Sequence, residues 1–104
     1  MEFGKVEFVL ESAGEMRKLR LTLIGQNDDE ILSREGLTEL RRNRVLRLAN
    51  EAVRQGCLLS YEDLSGLLLC SLSTLKRDIA QLEGKGFSIP LRRRRKNGLQ
   101  GAGC

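Results

Sequence analysis

The sequence contains no histidine, one proline and three cysteines, and each shortage removes a class of chemistry. Without histidine the usual general base and the usual zinc ligand are missing, so Ser-His-Asp triads, carboxylate–histidine relays and Cys/His zinc knuckles are excluded. Cys57, Cys70 and Cys104 are odd in number and include no CxxC pair, and the opening MEFGKVEF holds no apolar signal segment. A reduced, cytoplasmic protein is the expectation. The longest unbroken apolar run, Leu67 to Cys70, falls far short of the roughly 20 residues needed to cross a bilayer, so no membrane partner is expected.

The chain has 104 residues, 40% of them hydrophobic and 31% charged, which fits one ordinary globular domain. A chain of this size buries only about 60–70% of its unfolded surface. It can build one small core, or a core completed by a second subunit, but no large active-site cleft. The carboxylates concentrate only at Asp28-Asp29-Glu30, which reads as a solvated loop. No catalytic residue, metal or cofactor is therefore expected, and the chain is not read as an enzyme.

Charge is unevenly distributed along the chain. Residues 1–36 carry five basic and eight acidic side chains, residues 37–71 five and four, and residues 72–104 eight and two. The net charge of +4 thus hides a basic C-terminal third, and an acidic partner would be met there.

Lys5 to Leu10 and Arg17 to Ile24 alternate, with Val6, Phe8 and Leu10 in one apolar row and Leu19, Leu21 and Leu23 in the other. Ser12 to Glu15 connects them, so a β-hairpin is predicted, with Glu7 and Glu11 facing Lys18 and Arg20. Met16, Leu19 and Leu23 also fit helical spacing, which leaves a short helix as the alternative for the second run. A hairpin is marginal alone, so its apolar row needs cover from the helices or from a second copy.

From Leu37 to Gln55 the apolar residues Leu37, Val45, Leu48, Ala49, Ala52 and Val53 recur at three and four. Asn43, Arg44, Arg47, Asn50, Glu51 and Arg54 fall opposite, and Gly56 ends the pattern. Ser60 and Ser71 then cap two shorter helices, whose inner faces are Leu64, Leu67 and Leu68, and Leu72, Leu75, Ile79 and Leu82. Gly84-Lys85-Gly86 stops the last helix. Phe87 to Leu91 reads as a short edge strand, since proline is tolerated only there or at a strand end.

Three helices in tandem, the last two joined through Leu69 and Cys70, have the spacing of a helix-turn-helix. The buried stripe of the last helix leaves Ser73, Thr74, Arg77, Ala80 and Gln81 on the far side. This polar, donor-rich face suits a DNA major groove, where an arginine forms a bidentate pair with guanine. A three-helix bundle with a solvated polar face is the plainer alternative. Tyr61 either donates to a phosphate or packs in the core, and Cys57 and Cys70, among leucines, read as small buried apolar residues.

The run Ser60-x-x-Asp63-Leu64-x-x-Leu67-Leu68-x-x-Ser71-x-x-Thr74-Leu75-Lys76-Arg77-Asp78-Ile79-x-x-Leu82 resembles the winged helix-turn-helix of DeoR-type and biotin-repressor-type regulators. From Leu19 to Arg92, through Gly36-Leu37, Leu40-Arg41-Arg42, Glu51-Ala52, Gln55-Gly56 and Leu58-Leu59-Ser60, the chain also resembles a prokaryotic family known only as domain of unknown function 1670. The resemblance implies a winged-helix DNA-binding half and supplies no established activity. Leu69 stands where the regulators carry glycine in the turn, and Ser65 where they carry a small alanine. After Pro90 the run Arg92 to Lys96 leads into a Gly-rich end, so a truncated or frame-shifted fragment with an incomplete wing is expected.

Together these readings give a mainly α chain with a small β component: a winged helix-turn-helix of three helices preceded by a β-hairpin. The hairpin and acidic loop take residues 1–30, the helix-turn-helix core 31–95, and a frayed tail 96–104. The expected function is sequence-specific binding of double-stranded DNA, as in a transcriptional regulator or a protein associated with mobile elements. Ser73, Thr74, Arg77 and Gln81 would read bases, and Tyr61, Lys76, Arg92, Arg93, Arg94, Arg95 and Lys96 would contact phosphates. A homodimer is a second candidate partner. The alternative is a protein-interaction or dimerisation winged helix without DNA binding.

Overall fold

Period-two alternation gives each of the first two segments one apolar face, and the faces meet in a hairpin. The computed structural model describes residues 4–12 and 14–92. β1 (Lys5–Ser12) and β2 (Glu15–Thr22) pair antiparallel, with Phe8 opposite Leu19, Val6 opposite Leu21 and Glu7 opposite Arg20. The second run is strand, because only a period of two puts Leu19 and Leu21 together on the buried face. Glu11 lies opposite Met16 and not opposite a basic residue as the spacing had suggested. Leu10, Leu19 and Leu21 are buried, and Val6, Phe8 and Leu23 pack partly against them. Each buried leucine contributes about 1.5–3 kcal/mol, which a hairpin alone in water would lack.

The acidic segment expected as a solvated loop is the first turn of a helix, α1 (Asp28–Glu35). Gly36 alone separates it from α2 (Leu37–Arg54), with φ +94° and ψ 173°, a conformation essentially confined to glycine. The helices therefore number four among the described residues. Asp28 is only 3% exposed. Its carboxylate accepts from Arg44 Nε at 3.0 Å, Arg47 Nη1 at 3.2 Å and the Gly25 N–H at 2.9 Å. Acidic residues at a helix N-terminus are favourable, but cationic partners are what permit burial.

Val45, Leu48, Ala49 and Ala52 of α2 are buried as the periodicity predicts, and Leu40 joins them. Leu37 and Val53, expected inside, are exposed. Arg44, Arg47 and Glu51, expected on a solvated face, are half-buried because they bind other parts of the chain. Arg47 Nε donates to the Thr22 carbonyl at 2.9 Å, the Thr22 N–H donates to Glu51 at 2.6 Å, and the Arg20 N–H donates to Gln55 Oε1 at 2.8 Å. Gln55 Nε2 returns a bond to the Arg20 carbonyl at 2.8 Å. The polar side of α2 thus closes the outer edge of β2 at Arg20 and Thr22.

β3 (Leu59–Ser60) leads directly into α3 (Tyr61–Leu68), and α4 (Leu72–Gly84) follows. β4 (Leu91–Arg92) lies parallel to β3, with Ser60 opposite Arg92; Phe87 to Pro90 are not strand. One core runs from Leu10, Leu19 and Leu21 through Val45 and Leu48 to Leu64, Leu75, Ile79, Leu82 and Ile89, so hairpin and helices share it. No helix among the described residues is long and apolar enough to cross a membrane. The described residues form a mixed α/β architecture of four helices with an N-terminal antiparallel hairpin.

Burial alone pushes the Asp28 carboxyl up, but Arg47, the Gly25 N–H and Arg44 outweigh it and hold the group below its ordinary value. A depressed carboxyl stabilises the fold fully above the unfolded value of about 3.9. That contribution drains away as pH falls through the lower folded value. Asp28→Asn should therefore cost roughly 1.5–3 kcal/mol at neutral pH, and its stability should fall less than wild type below about pH 4. Urea denaturation across pH measures both, and unchanged stability at neutral pH would show that the cluster contributes nothing net.

Candidate nucleic-acid interface

Local capping fixes where each helix of the α3–α4 pair begins. The Ser60 hydroxyl accepts the Asp63 N–H at 3.0 Å while the Asp63 carboxylate accepts the Ser60 N–H at 3.0 Å, a complete capping box. Ser71 starts α4 in the same manner, accepting the Thr74 N–H at 3.1 Å, with the two hydroxyls 3.0 Å apart. Thr74, expected on the base-reading face, is therefore half-buried and engaged in the cap of its own helix.

Between the helices, Leu69 takes the left-handed conformation, φ 56° and ψ 45°, and is 91% exposed. The Cys70 N–H bonds back to the Ser65 carbonyl at 3.2 Å. The turn after α2 has the same form at Gly56 and that after α4 at Gly86, both with positive φ. Leucine pays a steric cost there that glycine does not. Ser65 offsets some of it, because its hydroxyl donates to the Cys70 carbonyl at 2.6 Å and closes the turn from the side. Leu69 and Ser65 therefore belong to one turn.

α4 is oriented by packing and by charge. Leu75, Ile79 and Leu82 are buried, as the stripe predicts, whereas Leu72, its first member, is exposed. Asp78, within the same stripe, is 1% exposed and is met by Arg41 and Arg42 of α2: Arg41 Nη2 donates to it at 3.2 Å, Arg42 Nε at 3.1 Å, and Arg41 Nε binds its other oxygen. Asp78 holds Arg41 more firmly protonated than usual, against the opposing effect of burial. Arg42 also pairs with Glu39 at 3.3 Å. This cluster was not among the expected site residues, although a carboxylate within an apolar stripe already demands a cationic partner. Burial pushes the neighbouring Cys70 thiol up and leaves it protonated at neutral pH, in keeping with a small apolar role.

Outside on α4 lie Ser73, Arg77 and Ala80, flanked by Lys76 and Gln81, with Glu83 further along, all exposed. Helical spacing puts Ser73, Arg77 and Ala80 on the side opposite Leu75, Ile79 and Leu82. Neither Lys76 nor Arg77 has an ion-pair partner among the described residues. The other expected residues form a second group around the start of α3. Tyr61 is half-buried against the core. Arg92 lies 3.7 Å from the Asp63 carboxylate and donates to the Glu11 carbonyl at 3.4 Å, linking β4 to α3 and the hairpin. Arg93, Arg94, Arg95 and Lys96 lie outside the described residues, as does Cys104. No group of residues able to hold a metal ion occurs among those described.

Leu69→Gly should raise stability by about 1 kcal/mol, since it removes the left-handed cost and an exposed leucine while keeping every backbone bond of the turn. Thermal unfolding measures it; a lower melting temperature would mean that the leucine side chain itself stabilises the turn.

Over residues 10–97 the chain matches the family described as Protein of unknown function (DUF1670), so the match begins within β1 and takes in every later element. No curated protein and no solved structure matches the chain. With four-fifths of its length matched, the chain belongs to the family described as Protein of unknown function (DUF1670).

Proposed function

We propose that the chain is a sequence-specific DNA-binding module, with α3 and α4 as a helix-turn-helix of winged-helix type and α4 as the recognition helix. The observation that carries this reading is the outer face of α4, where Arg77 and Lys76 have no carboxylate partner among the described residues, while Arg41 and Arg42 of α2 are paired with Asp78 and Glu39. A B-DNA major groove about 12 Å wide admits one helix. Ser73 and Arg77 then reach base edges, Gln81 lies two turns along, and Lys76 lies to the side where a phosphate runs. The similarity of residues 60–82 to DeoR-type regulators supports the same assignment, as does the basic C-terminal third. In this reading Arg92 leaves Asp63 for phosphate, joined by the arginines that follow it. The module serves a regulator of transcription or a protein of a mobile element.

Electrophoretic mobility shift with random and then selected duplex DNA tests the proposal. Arg77→Ala should keep the native circular dichroism and lose roughly 1–3 kcal/mol at a preferred site, with less loss on other sequences. Lys76→Ala should weaken all sequences alike and flatten the plot of log K against log salt by about 0.9. Absence of any DNA complex at low salt, or an Arg77→Ala protein that binds as wild type, would sink the assignment of α4.

A further inference from the structure

We infer that the outer edge of β1 joins two copies of this chain into a dimer through antiparallel β1–β1 pairing, with Phe8 on the two-fold axis. The two edges of the hairpin differ. That of β2 is bonded at Arg20 and Thr22 by Arg47, Glu51 and Gln55, whereas β1 has β2 as its only strand neighbour among the described residues. The Leu23 N–H donates to the Gly4 carbonyl at 2.8 Å, so the even-numbered residues of β1 bond to β2. Lys5, Glu7, Val9 and Glu11 then direct their N–H and C=O groups outward. The Glu11 carbonyl accepts from Arg92. Those of Glu7 and Val9 have no bond among the described residues.

An antiparallel pair across a two-fold axis must match outward-directed residues with one another, which leaves few registers. With Phe8 on the axis, Glu7 and Val9 of the two copies exchange hydrogen bonds. Lys5 lies opposite Glu11 of the second copy, and Val6 opposite Leu10. Sliding by two residues in either direction places Glu7 opposite Glu7 or opposite Glu11, and like charges directly opposite are unfavourable. Among the registers that pair most of β1, charge and bonding parity therefore favour the one with Phe8 on the axis. The apolar face agrees with it. Val6 and Phe8 are only partly covered by the helices, and in this register Phe8 meets Phe8 in a close, non-hydrogen-bonded pair that favours aromatic contact. A second copy supplies the cover that the single chain leaves incomplete.

Sedimentation of the full chain over a range of concentrations tests the dimer. The expected result is a concentration-dependent dimer that Val9→Pro abolishes without unfolding the chain, because the Val9 N–H points away from β2. Lys5→Glu should weaken the dimer about tenfold and Lys5→Glu with Glu11→Lys should restore it, an arm that remains decisive if the proline disrupts the hairpin. A monomer at every concentration, a dimer indifferent to natively folded Val9→Pro, or a charge exchange that restores nothing would each overturn the inference. A monomer that pairs with an unrelated extended peptide through this edge would likewise overturn it, assigning the edge to a foreign strand. None of these outcomes bears on DNA binding by α4.

Discussion

Asp28 and Asp78 are removed from water, and a bare carboxylate at that depth is costly enough to dictate what surrounds it. Both are answered from α2. Arg44 and Arg47 meet Asp28 on one side, and Arg41 and Arg42 meet Asp78 on the other. The helix is therefore the shared counterion of the two halves of the molecule: one aspartate brings α1 and the end of β2 to it, the other brings α4. Arginine suits this in a way that lysine does not, because a planar fork bonds several acceptors at once. Arg47 reaches the Thr22 and Leu23 carbonyls as well as Asp28. A shift of α4 that left the apolar stripe covered would still strand a charge, so the pairs restrict the angle at which its outer face is presented.

Hydrogen bonds from the same helix make the hairpin asymmetric. Arg47, Glu51 and Gln55 follow one another at four-residue spacing, which lays their polar ends along a single line. That line runs beside β2 and takes the place of a third strand, satisfying backbone groups on Arg20 and Thr22. Over Arg20 and Thr22 the edge therefore has no N–H or C=O to offer another strand. The opposite edge has no such row at Glu7 and Val9 among the described residues, which makes β1 the edge more open to a further strand.

Periodicity is read well from sequence where a single face is buried, and poorly where polar groups are buried with it. Val6, Phe8 and Leu10, and Leu75, Ile79 and Leu82, are legible because each repeats at the period of its element. The capping serines are legible because their chemistry is local. α1 was missed because Asp28-Asp29-Glu30 is polar by composition, and the reason one member is buried lies 16 and 19 residues away on another helix. Arg44, Arg47 and Glu51 were misread for the same cause: pattern rules assign charge to solvent, and only a partner distant in sequence reverses that. Of the candidate interface, the outer face of α4 could be read directly, while the Asp78 cluster that orients it and the Ser65 bond that closes its turn could not.

The use of cations inside the fold changes what net charge means for this chain. A total of +4 suggests general attraction to polyanions, yet Arg41, Arg42, Arg44 and Arg47 are committed to buried or half-buried carboxylates and release no counterions on binding anything else. On the described part of α4 only Lys76 and Arg77 remain for phosphate or base, and two contacts give a shallow salt dependence and modest nonspecific affinity. In the proposed reading the basic run after Leu91 would add most of the sequence-independent attraction, and one short helix face the discrimination between sequences. On that reading a change in the basic run would alter affinity for all sequences alike, whereas a change at Ser73 or Arg77 would alter the preference among them.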